Sequence, residues 1–218
     1  MAGRPIWYRN LTWNDETARE FEKRLRRCRA EKRPQYLRLQ AIQLLMTQRD
    51  EVRPAAIQLF HRVLTDFPAT VDAPYILEWL AWAHIANGDV SKAEICLRES
   101  LRHGSGAMRS GYVDLTLAEL LVESREDGHV EEAGDLLARM SPKSNNKMYK
   151  FRYWRARTLL AQRKGQIDHA RRFANMALEA NPNRRNAAAY RPEAETVDPS
   201  LVQELEEIAA GPASGYRN

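Results

Sequence analysis

Cysteine is nearly absent: Cys28 and Cys96 are the only two in 218 residues. Both have apolar neighbours at helical spacing and read as small buried thiols, and a chain of this length buries a core without disulfide or metal staples. A reducing, cytoplasmic setting is the expectation. Long apolar runs are missing too. The opening Met1-Ala2-Gly3-Arg4-Pro5-Ile6-Trp7 has no signal-peptide core, and no window of about 18 residues is free of charge, so a soluble protein without membrane spans is expected.

Catalytic signals are equally scarce. The histidines His61, His84, His103, His129 and His169 have no ligand partner at i, i+4, and no Cys-x-x-Cys accompanies them, which leaves a metal site nothing to rest on. His84 is expected to pack inside, His129 and His169 to lie solvated beside turns. Gly104-Ser105-Gly106 has no strand before it and no Gly-Lys-Ser or Gly-Lys-Thr after it, so it reads as a connector rather than a phosphate loop. Glu119, Glu123, Glu126 and Asp127 stand three or four apart like a solvated helix face. No serine-centred nucleophile elbow occurs. Metal, cofactor and enzymatic activity are therefore not expected.

What is present is charge in alternating blocks. Residues 1–40 carry 11 basic against 5 acidic side chains, residues 41–110 carry 7 against 8, and residues 111–150 carry 5 against 8. Residues 151–190 then carry 9 against 2, and residues 191–218 carry 2 against 6. In a stacked repeat protein distance along the chain becomes distance along the stack, so these blocks are expected to persist as separate surface fields.

The chain also repeats. Ala56, Ala93, Ala133 and Ala170 are spaced by 37, 40 and 37 residues. Four places after them come Phe60, Leu97, Leu137 and Ala174, and seven places after them Val63, Ser100, Met140 and Ala177, which makes one helical stripe per segment. Pro68 and Pro182 fall twelve places after the first and last anchors, where a proline stops a helix. Gly88, Gly128 and Gly165 precede three anchors and supply tight turns; in the first segment Asp50-Glu51 and Pro54 stand in place of the glycine. Ala81 and Ala118 add close approach, while Leu80, Leu97, Leu101, Leu136 and Leu137 fill the layers. Ahead of the repeats, Asn14 or Asp15 caps a helix to about Lys32 with Ala18, Phe21, Leu25 and Cys28 on one stripe; Pro34 ends it. Trp7-Tyr8-Arg9 and Trp13 either fold back as a hydrophobic staple or reach into a partner. Ser200, Leu201, Leu205 and Ile208 mark a short closing helix within 199–210, before a Gly-Pro-Ala-Ser-Gly tail.

Leu80-Ala81-Trp82-Ala83-His84, Asn87-Gly88-Asp89 and Ala93 together resemble one tetratricopeptide repeat without a gap. Segment 117–140 matches less fully, through Leu117-Ala118 and Asp127-Gly128, with a first helix about a turn longer than usual. Segment 151–182 matches through Ala170, Ala177 and Asn181-Pro182, and the first segment through Leu39 and Ala41. The resemblance implies an all-α fold, a right-handed superhelical stack of antiparallel helix pairs with capping helices at both ends. Residues 1–34 would form the N-terminal segment and basic cap, 35–183 four helix pairs, and 184–218 a loop, closing helix and tail. It also implies that first helices line a concave groove for a protein or peptide partner. Arg38 and Ile42, then Tyr75, Glu78, Trp82 and Ile85, then Tyr112, Leu115, Glu119 and Val122, then Tyr153, Arg157 and Leu160 would face it. Aromatics and arginine concentrate interface energy; the alternative for each is packing between helices. The lysine, asparagine and arginine set by which chaperone-binding relatives hold a C-terminal carboxylate is not matched.

A protein-binding adaptor is the resulting expectation. Two alternatives remain open. Arg24, Arg26, Arg27 and Arg29 in the block 23–33, with Arg152 and Arg155 in the aromatic-rich block 150–172, suit a nucleic-acid-associated factor. An immunity or inhibitor-type protein would use the same groove to block a toxin or enzyme.

Overall fold

The computed structural model describes residues 6–103, 112–126, 128–142, 145–185 and 197–211. The Gly104–Gly106 connector, Asp127 and the tail beyond Gly211 lie outside them. Among the described residues there are ten α-helices and no strand: α1 Asp15–Arg27, α2 Arg33–Leu45, α3 Arg53–Asp66, α4 Ala73–Ala86, α5 Val90–Arg102, α6 Val113–Glu123, α7 His129–Arg139, α8 Lys147–Arg163, α9 Ile167–Ala180 and α10 Pro199–Ala210. They belong to two compact units, Met1–Val113 and Asp114–Asn218. No described helix is long and apolar enough to cross a membrane.

In the first unit α2 packs on α3 and α4 on α5, with α3 and α2 both touching α4. In the second, α8 packs on α9, α7 on α8 and α10 on α9. The four anchor alanines explain how. Ala56, Ala93, Ala133 and Ala170 are each the fourth or fifth residue of α3, α5, α7 and α9, and all are buried. The residues four places on, Phe60, Leu97, Leu137 and Ala174, are buried too. A methyl at the anchor lets the neighbouring helix approach, and the larger side chain one turn later fills the gap that follows. Ser100, at a position where α3 has Val63, is also buried and donates its hydroxyl to the Pro74 carbonyl at 2.9 Å. Helix α3 ends two residues before Pro68 and α9 two residues before Pro182.

The turns inside the pairs carry the same logic. Gly88, Gly128 and Gly165 have φ of 76°, 88° and 68°, the left-handed region where a side chain costs about 1–2 kcal/mol. The α4–α5 and α8–α9 turns match bond for bond. Asp89 N–H donates to the His84 carbonyl as Gln166 N–H does to that of Ala161, and Gly88 N–H donates to Ile85 as Gly165 N–H does to Gln162. The first pair differs: Gln48, with φ 56°, is the one described non-glycine residue at positive φ, and a 3-10 turn at Asp50–Val52 follows before α3 starts.

Three boundaries depart from expectation. Helix α1 stops at Arg27 rather than near Lys32, because Arg33 Nη2 donates to the Arg26 carbonyl at 3.0 Å and caps the helix there. Cys28 therefore lies past the helix, half-buried, while Phe21 and Leu25 are buried in it. The pair α6–α7 is the short one, with 11 residues in each helix, and the extra turn belongs to α8, which has 17. The Asn146 side chain caps the Tyr149 N–H at 3.0 Å and starts α8 before the repeat pattern begins. Met140, expected seven places into the stripe, consequently lies just beyond α7.

The first and last described segments fold onto neighbouring helices. Trp7 packs 5.0 Å from Tyr36 and 5.4 Å from Phe21, and Trp13 lies 5.4 Å from Phe21, so the segment before α1 folds back. The buried Gln40 side chain accepts from Asn10 N–H at 2.9 Å and donates to the Asn10 carbonyl at 2.9 Å. Leu205 of α10 and Val197 join Phe151, Ala174 and Ala177 in one core cluster.

Candidate partner-binding surface

Helix α4 builds its surface from a 3- to 4-residue spacing. Tyr75, Glu78, Trp82 and Ile85 form one stripe, flanked by Ile76, Leu80, Ala81 and Ala83, all buried. Its two exposed members lie in the C-terminal half. Arg38 of α2 places its Nε 3.3 Å from Asp72 and its guanidinium 5.6 Å from the Tyr75 ring, which fixes that end of the stripe. Glu78 is only 6 % exposed, whereas Trp82 is 43 % and Ile85 36 % exposed. Trp82 and Ile85 are thus the two large apolar side chains that the stripe turns outward.

His84, one helical position round from this stripe, is 7 % exposed, as a packing residue should be. Burial holds its pKa below the usual imidazole value, with Lys92 acting in the same sense and Asp89, 3.7 Å away, against it. His169 is exposed, but the His129 side chain is largely covered beside Glu126 rather than solvated.

The second unit treats its expected groove residues differently. Tyr112 is half-buried just before α6, Leu115 and Val122 are buried, and Tyr153 is 4 % exposed with its hydroxyl 3.4 Å from the Leu137 carbonyl. Glu119 is not on a solvated face. Arg152 holds it in a forked pair, Nε standing 3.1 Å from both carboxylate oxygens and Nη2 touching Oε2, and the same guanidinium donates to Thr116 Oγ1 at 2.9 Å. Burial pushes the Glu119 carboxyl above its ordinary range while Arg152 pulls it back. Arg155 reaches Glu123 at 2.9 Å and Glu204 of α10 at 3.5 Å. Arg163 donates to the Val122 carbonyl at 3.0 Å and to that of Ser124. The acidic block and the basic block that follows it therefore meet as ion pairs inside one unit instead of forming separate fields. Arg157 stacks 5.0 Å over the Phe173 ring of α9, a contact that nothing in the spacing of α8 alone announces.

The first basic block has a different environment. Arg24, Arg26, Arg27 and Arg29 are exposed. Arg24 pairs with Glu20 one turn away, and its hydrogen bond holds the Glu20 carboxyl below the usual range. Among the described residues Arg26, Arg27 and Arg29 have no carboxylate at ion-pairing distance. Arg24, Arg26 and Arg27 lie in the last turn of α1, opposite Asp15 and Glu16 in the first, an arrangement that the helix dipole favours.

Cys96 is buried, which raises its thiol pKa, and both cysteines are free. Among the described residues no three His, Cys, Asp or Glu side chains gather where they could hold a metal ion. No family model matches the chain, and neither a curated protein nor a solved structure matches it.

Proposed function

We propose that the chain is a tetratricopeptide-like stack of helix pairs, wound right-handed and capped at both ends, that acts in the cytoplasm as a non-enzymatic protein-binding adaptor. Support for the repeat reading comes from the buried alanine register and the matched glycine turns. The observation that carries the binding reading is the α4 stripe, where Trp82 and Ile85 reach solvent between wholly packed faces. A tryptophan on a rigid helix loses little conformational freedom on binding and buries a large area, which is how interface anchors work. Arg38 and Tyr75 serve this face as its fixed end.

A photo-crosslinking amino acid at position 82 tests the reading in cells. The expected result is a discrete protein adduct, lost from the same probe when Ile85→Ser is added and absent from a probe placed at exposed Gln203 of α10. Adducts that do not depend on Ile85, or none, would refute it. An adduct that is an enzyme silenced one-to-one would identify an inhibitor or immunity-type role on the same face.

A second reading, contact with nucleic acid, is favoured by Arg26, Arg27 and Arg29 of the first unit, exposed and without a carboxylate at ion-pairing distance among the described residues. Binding of a single-stranded oligonucleotide that weakens steeply from 50 to about 200 mM salt would support it.

A further inference from the structure

Helix α8 carries four arginines, and three of them are engaged by carboxylates or backbone carbonyls of α6, the segment after it, or α10. Arg157 is the exception. Among the described residues no carboxylate lies at ion-pairing distance from it, and its guanidinium lies over Phe173, 5.0 Å from the ring centre, with the Tyr153 ring at 6.0 Å. Stacking fixes the group while leaving its forked N–H edge free, a pre-organised carboxylate receptor.

That edge lines a cleft of about 400 Å³ between α7, α8 and α9. Lys164, also without a carboxylate at ion-pairing distance among the described residues, stands on the same wall. The opposite wall is Glu131, Gly134 and Asp135 of α7. At Gly134 the two walls come close: a Cβ there would stand 3.3 Å from Lys164 Nζ, and the lysine head would have to shift by a few tenths of an ångström. The cleft is thus cationic on the α8 side, acidic on the α7 side, and apolar at Phe173.

We propose that this cleft binds a protein segment bearing an acidic side chain and, close by, a basic one, with the carboxylate forked by Arg157 beside Lys164 and the base met by Glu131 and Asp135. The acidic wall repels a phosphate backbone, so nucleic acid is the wrong occupant. Lys164, Glu131 and Asp135 are exposed, which leaves the cleft open along its length, suited to a passing chain rather than an enclosed metabolite. The site is separate from the α4 stripe and stands or falls without it.

Panning the full-length protein against a phage-displayed random dodecapeptide library, then titrating fluorescent copies of the recovered peptides, tests this. The expected peptides carry Asp or Glu with Lys or Arg nearby. Arg157→Gln and, independently, Lys164→Gln each weaken them about tenfold, as loss of a charge-assisted hydrogen bond should, without lowering the melting temperature. Glu131→Gln with Asp135→Asn weakens the same peptides and improves the binding of a labelled single-stranded oligonucleotide. Recovery of no peptide, of peptides lacking acids, or of peptides indifferent to both Arg157→Gln and Lys164→Gln overturns the proposal. Peptides lost on Trp82→Ala but retained by Arg157→Gln overturn it while leaving the α4 reading intact.

Discussion

Helix α1 in the first unit and α8 in the second each carry four arginines, and their guanidinium groups have opposite destinations. In α1 the contacts are local: Arg19 donates to the Asp15 carbonyl and Arg24 to Glu20, each one turn back, while Arg26 and Arg27 face water. In α8 they cross to other elements, fastening Glu119, Glu123 and Glu204. A run of cations thus says nothing about its use until the acids of neighbouring helices are placed. Solvated pairs of the α1 kind contribute little; a half-buried fork such as Arg152 with Glu119 leaves a stranded charge if one partner is removed.

The largest expected effect sharpens that contrast. Arg152→Ala should destabilise the second unit by about 3–5 kcal/mol in urea melts followed by circular dichroism, and adding Glu119→Gln should recover much of the loss. An Arg152→Ala protein as stable as the parent would put α8 in the same class as α1. Next in size comes an inverse pair of turn substitutions. Gly165→Ala, at φ 68°, should cost about 1–2 kcal/mol, whereas Gln48→Gly should stabilise the first pair by about 1 kcal/mol, both read from denaturant midpoints.

Titration separates the units again. His84 has a lowered pKa in the fold, so it folds neutral; its contribution is intact above the unfolded value and is lost as pH falls toward the folded one. Glu119 has a raised pKa, so its contribution is present at low pH and is lost as pH rises through the folded value. Hydrogen exchange between pH 7 and 5 should show α4 and α5 losing protection, relieved by His84→Gln, while α6 and α8 hold theirs. The smallest effect belongs to α1: Arg26→Ala with Arg27→Ala should move stability by less than about 0.5 kcal/mol. A larger loss would mean that these side chains are structural after all.

Repetition made much of the helix pairing legible. Alanines at constant spacing mark close helix contacts whatever surrounds them, and glycines before them mark left-handed turns, so four second helices and three turns could be placed. Gln48 escaped because a left-handed residue with a side chain has no compositional signature. Of the surface, Trp82 was legible because Ala81 and Ala83 beside it already fill the close-packed faces, which turns position 82 outward. Glu119 was misjudged as solvated since its partner lies 33 residues away. A signal did exist: acids at 119 and 123 on one helix and arginines at 152 and 155 on the next each stand about one turn apart, so two ion pairs can form side by side between them. The stacking of Arg157 on Phe173 left no such trace.

Trp7, Tyr8 and Trp13 cover the flank of the first helix pair, and Asn10 occupies the polar edge of Gln40. That flank is therefore already occupied by the chain's own side chains, and anything that docks on Tyr36 or Gln40 must first displace them.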